Sequence, residues 1–151
     1  MRVLLSSMLA HVVVASMAPS PWWAPDLTLA GLTLAIIRKP RQWAVLASLV
    51  GVWAAVWAVR SPLAMLLGSL LLGWVIHLLA VQWDLTGLRM QCVVVAAASL
   101  LQTVGAFWLA AHWSLALLGL ALVHVLVTGC AVPCLKGVLG WGTRLRGEGG
   151  A

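Results

Sequence analysis

Residues 63–82 read LAMLLGSLLLGWVIHLLAVQ, from Leu63 to Gln82 without one Asp, Glu, Lys or Arg. As a helix, a run of this length rises about 30 Å, the thickness of the hydrocarbon core of a bilayer. Arg60-Ser61-Pro62 precedes it and Trp83-Asp84 follows it, so polar residues bracket the run. The rest of the 151-residue chain repeats this layout, with 64% of residues apolar and 8% charged. A soluble domain carries about 25% charged residues to cover its surface. Burial in lipid follows, and with it the fold class: all-α, a polytopic membrane protein built as a compact bundle of about six transmembrane helices.

Outward from this run, the first span is expected at 3–18, behind Arg2. It also resembles a signal peptide, with Ser16-Met17-Ala18 as a small-x-small site, but His11 in its middle and the spans that follow favour a retained helix. Pro19-Ser20-Pro21-Trp22-Trp23 breaks the chain and offers two rings to the headgroup level. The second span, 24–37, opens at Pro25-Asp26. Asp26 is typed as a helix N-cap, its carboxylate facing the positive end of the dipole. This span is short for the bilayer core, so it either thins the bilayer or is shielded by neighbours. Arg38-Lys39-Pro40-Arg41-Gln42 is the densest charge cluster, and Pro40 suits a stop and a restart. Further spans are expected at 43–59, 63–82, 90–111 and 114–135. Residues 1–137 then form a single transmembrane domain, and 138–151 a flexible cytoplasmic tail.

The charges set the orientation. With the N-terminus inside, the inner segments hold Arg2, Arg38, Lys39, Arg41, Arg89, Lys136, Arg144 and Arg146, and the outer ones only Arg60. That bias places both termini in the cytoplasm and requires an even number of spans. The net charge of +6 is spent on topology at the ends of apolar runs, which excludes nucleic acid as a partner. Three cysteines give no disulfide framework. Cys130 and Cys134 share a helix face with His124 nearby, but Pro133 intervenes and no matching ligand pair exists, so packed thiols are expected and no metal.

Ionisable residues within a membrane are the first functional candidates. Asp26, Asp84, Arg60 and Arg89 fall at span ends, which argues against a proton relay or an ion pump. His11, His77 and His124 lie inside spans and His112 at an outer turn, where packing or hydrogen bonding is expected. Ser99, Gln102 and Thr103 are expected on one stripe of the fifth span, hydrogen-bonding across a helix interface. Ala47, Gly51 and Ala55 recur every four residues on the third span, and Ser69 and Gly73 do so on the fourth. Small residues at this spacing let backbones approach, either within the bundle or against a partner's helix. Trp53, Trp57, Trp74 and Trp108 sit within spans, suited to an outer face. No Ser-His-Asp set, carboxylate pair, phosphate loop or dinucleotide fingerprint is present, so neither an enzyme nor a cofactor is expected.

The stretch Pro25-Asp26-Leu27-Thr28-Leu29-Ala30-Gly31-Leu32-Thr33-Leu34-Ala35-Ile36-Ile37-Arg38-Lys39-Pro40-Arg41 resembles the rod shape-determining protein MreD. In that family Pro-Asp opens a short apolar helix that ends in a basic-Pro turn. A Gly-bearing helix and a Gly-Pro-Leu-like turn follow, matched here by Gly51 and by Ser61-Pro62-Leu63, with Gly68 and Gly73 beyond. The likeness is spread over 1–135 and its specific part is 25–68. Two positions depart: many relatives carry an Asp where this chain has Ala55, and Ser61 stands for the usual Gly.

The resemblance implies a non-enzymatic scaffold of the bacterial cell-elongation machinery in the inner membrane. Its closest partner would be an MreC-like membrane protein, alongside MreB, RodA and a class B penicillin-binding protein. It also implies a fold like that of the substrate-binding subunits of energy-coupling-factor transporters, so a vitamin-type receptor is the alternative. That alternative requires an outward cavity with converging polar groups, for which Trp22, Trp23, Asp26 and Arg60 are the candidates. The basic inner rim also suits anionic lipid.

Overall fold

The computed structural model describes residues 2–20, 23–57, 61–85, 87–110 and 114–147, without the side chains of 2, 57, 108–110 and 138–147. Trp22, Arg60, His112 and Trp113 therefore lie outside the described residues, as do the side chains of Arg2, Trp57, Trp108, Arg144 and Arg146. Six α-helices account for most of what is described: α1 (Arg2–Met17), α2 (Leu27–Arg38), α3 (Trp43–Trp57), α4 (Pro62–Gln82), α5 (Leu88–Ala110) and α6 (Leu115–Gly147). A 3-10 turn, Pro40–Gln42, joins α2 to α3. Three stretches are long and apolar enough to cross a membrane: Pro62–Gln82, Leu88–Phe107 and Leu115–Gly137. The first of these has a mean hydropathy of 2.2 and only 17% of its window buried, so α4 presents mainly apolar side chains to its surroundings.

α2 is the opposite case. Its 12 residues rise about 18 Å, too little to cross a core of about 30 Å. Every residue from Leu27 to Ile36 is buried, and α2 touches each of the other five helices. Of the two ways to accommodate a short helix, this fold uses shielding. Leu29, Leu32 and Ile36 join Leu4 and Met8 of α1, Leu46 and Val50 of α3, and Leu72 and Ile76 of α4 in one apolar cluster. On its other side Leu27, Ala30 and Leu34 meet Val95 of α5 and Val132 and Leu135 of α6. Gly31 is where α1 comes closest: a Cβ there would fall on the side chain of Ser7.

α3 and α4 pair antiparallel through the small residues. A Cβ on Gly73 would lie 2.6 Å from that of Ala47, and one on Gly51 would collide with Ser69 and come within 2.9 Å of the Leu66 Cα. One turn up α3 thus matches one turn down α4. The small-residue stripe is used inside the bundle. Trp43 also stacks on His77, with ring centroids 5.7 Å apart, tying the start of α3 to α4. The α4–α5 turn is held by Gln91, whose Nε2 donates to the buried Leu85 carbonyl at 2.7 Å.

Two expectations change. α6 runs through Pro133 to Gly147, so 138–147 is helical backbone where a flexible tail was expected. No proline follows Pro133 to stop it. Ser99, Gln102 and Thr103 do not form one stripe: Ser99 and Thr103 are buried and Gln102 is exposed. Successive helical residues point about 100° apart, so Gln102 and Thr103 cannot both face inward. Thr103 donates to the Ser99 carbonyl of its own helix at 2.8 Å rather than across an interface.

Substituting Gly73 by Val is expected to destabilise the protein by about 1–3 kcal/mol through overpacking against Ala47. Gly68→Val, at an exposed position with nothing within 4 Å, leaves stability within about 0.5 kcal/mol. Unfolding of both variants in mild detergent checks the contrast.

Candidate functional site: the polar start of the central helix

A helix that begins inside a bundle must satisfy its first N–H groups without water. At the start of α2, Asp26 Oδ1 accepts from the Leu29 N–H at 2.9 Å, the Asp26 carbonyl accepts from Ala30 N–H at 3.1 Å, and that of Pro25 accepts from Leu27 N–H at 2.9 Å. The N–H of Asp26 donates to Thr128 Oγ1 at 3.0 Å. Asp26 is thus the N-cap that its type and place predict, and Thr128 of α6 extends the cap from another helix.

The cap is not at the edge of the bundle, where a span end was expected to put it. Thr128 stands about 20 Å along α6 from Leu115, close to the middle of the Leu115–Gly137 stretch. His11 reaches the same place from α1. Its Nδ1 lies 3.2 Å from the Pro25 carbonyl oxygen and 4.0 Å from Asp26 Oδ1, with side-chain exposures of 30% for His11 and 17% for Asp26. A carbonyl can only accept, so Nδ1 is the nitrogen that carries the proton. His11, Asp26 and Thr128 thereby fasten α1 and α6 to the start of α2. The chemistry of this set is that of a polar clasp.

The remaining candidates fall elsewhere. Arg38 closes α2, and the Lys39 N–H returns to the carbonyls of Ala35 and Ile36. Arg38, Lys39 and Arg41 are exposed and Pro40 is half-buried. This basic turn and Asp26 sit at opposite ends of α2, about 18 Å apart; they do not converge on one site. Gly51 and Gly73 belong to the α3–α4 seam, with Ala55 half-buried further along α3. Pro62 opens α4 at an exposed first turn, and Gly68 faces open space. Trp23 is exposed and Trp74 is 46% exposed, whereas Trp53 packs against the core.

Among the described residues no three His, Cys, Asp or Glu side chains come together as a metal site. Two hollows lie on the α3 face. One, of about 410 Å³, is lined by Leu4, Leu5, Met8 and Leu9 of α1 and by Leu49, Val52, Trp53 and Val56 of α3. The other, of about 370 Å³, is lined by Ala44, Val45, Ser48, Leu49 and Val52. The sequence reading did not single out Thr128. A lone Thr in an apolar run is a signal, but nothing local ties it to a residue 102 positions away.

The chain matches no family model, no curated protein and no solved structure.

Replacing Asp26 by Ala should cost about 1 kcal/mol through the lost cap, and Asp26→Asn, which keeps an acceptor oxygen, only a few tenths. Thr128→Val should cost about 1 kcal/mol or more by stranding the Asp26 N–H. Equilibrium unfolding in detergent measures all three.

Proposed function

We propose that this chain is a non-enzymatic adaptor of the MreD type in the inner membrane. It would cross six times with both ends in the cytoplasm, in a fold like that of the energy-coupling-factor substrate-binding subunits. Its role would be to hold an MreC-like protein within the cell-elongation machinery, and through it MreB, RodA and a class B penicillin-binding protein.

The reading rests for its partner class on the resemblance at Pro25–Arg41 and for the existence of a partner on Gln102. This side chain is exposed, about 12 Å inside the end of α5 at Ala110, with no hydrogen-bond partner among the described residues. Lipid offers an amide nothing. Beside it Ala106 is exposed and Gly105 has nothing within 4 Å of where a Cβ would stand. A polar group flanked by small residues is what a second transmembrane helix packs against and hydrogen-bonds. The Gly51–Gly73 seam is already occupied within the bundle, and the α5 face joins exposed small residues to a polar side chain. The vitamin-receptor alternative has less in its favour: the α1–α3 hollow is walled entirely by apolar side chains.

Affinity purification from native membranes in mild detergent should recover an MreC-like protein with the chain. Gln102→Leu should weaken that recovery by about 3- to 30-fold, the worth of one intramembrane hydrogen bond. Recovery as a lone monomer counts against the reading, and tight binding of a vitamin replaces it. A reporter fused to either terminus should be active only in the cytoplasm.

A further inference from the structure

The two hollows on the α3 face adjoin at Leu49 and Val52, which line both. From Ala44 to Val56 they extend about 18 Å along the helix, roughly the depth of one bilayer leaflet. Val45, Val52 and Val56 stand open along them, at 63%, 56% and 73% exposure. Ser48 contributes the one hydroxyl in their lining.

Arg41 stands in the 3-10 turn that leads into α3, four residues before Val45, and Arg38 and Lys39 immediately precede that turn. The three cations are exposed and have no ion-pair partner among the described residues. Between Asp26 and Asp84 the sequence contains no acidic residue. An apolar surface whose near end adjoins a cluster of exposed cations is complementary to one kind of molecule, a long acyl chain beneath an anionic phosphate.

We propose that the α1–α3 groove binds an anionic phospholipid. One acyl chain lies along Val45, Leu49, Val52 and Val56, and the phosphate rests on Arg41 with Arg38 and Lys39 beside it. The site is independent of the α5 face, so it stands or falls apart from the adaptor reading.

The test is native mass spectrometry of the full chain in mild detergent, titrated with phosphatidylglycerol or phosphatidylcholine of the same chains. One phosphatidylglycerol should bind at least tenfold more tightly than phosphatidylcholine. Arg41→Gln should weaken it about fivefold, one charge's worth, and the variant R38Q/K39Q/R41Q should bring both lipids level. Val52→Trp should plug the groove and abolish the specific bound lipid, with Val45→Trp as a second plug and Leu67→Trp on α4 as a control that changes nothing. Equal binding of the two lipids overturns the proposal, as does undiminished binding by both plugged variants or by R41Q. So does finding that the plugged variants lose a tightly bound protein while keeping the lipid.

Discussion

The N–H groups that open α2 need acceptors inside the bundle, and much of the bundle's layout answers that need. Asp26 and Pro25 provide acceptors from the chain itself, and Thr128 provides one from α6. His11 closes the remaining side from α1. Each of these groups is a polar side chain or carbonyl in an apolar surrounding, costly alone and acceptable only in company. That mutual dependence fixes the relative heights of α1, α2 and α6. A slip of one turn in any of them would leave a polar group facing hydrocarbon.

The packing supports the same arrangement. Gly31 admits Ser7, and Gly51 and Gly73 admit Ser69 and Ala47, so the backbones approach at three places where any larger side chain would hold them apart. Within lipid there is no hydrophobic drive to press helices together, and close van der Waals contact takes its place. Small residues therefore concentrate where α2 meets α1 and where α3 meets α4, while large apolar residues such as Leu67, Leu71, Val81 and Leu126 face outward. The inside-out look of the surface follows from its solvent.

Much of this was legible in the sequence because helices in lipid are announced by composition. The starts of α3 and α4, the Asp26 cap and the Pro40 restart depend on local residues, and local residues define them. The depth of Asp26 was not legible: whether a helix end is at the surface depends on how far its neighbours extend past it, and α1 and α6 both do. The split between Gln102 and Thr103 is a matter of about 100° of helix rotation, decided by which flank of α5 meets α2 and α6. The continuation of α6 escaped because glycines after Lys136 lower helix propensity without forbidding a helix, so composition alone suggested a tail.

What this division of polar groups implies about function follows from where they are satisfied. Transport or catalysis in a membrane needs polar side chains that converge on a cavity and can change partners. Here several of the buried ones are committed to structure: Thr33 to the Leu29 carbonyl, Ser7 to that of Leu4, Gln91 to that of Leu85, and Asp26 to its own helix. Thr28 Oγ1, His77 Nδ1 and Ser99 Oγ are buried without a hydrogen-bond partner among the described residues, while Gln102 on one face and the Arg38–Arg41 turn at one rim are exposed. The adaptor reading proposed above draws on that outward-facing polarity, on Gln102 and the basic turn, rather than on any convergence of polar groups inside the bundle.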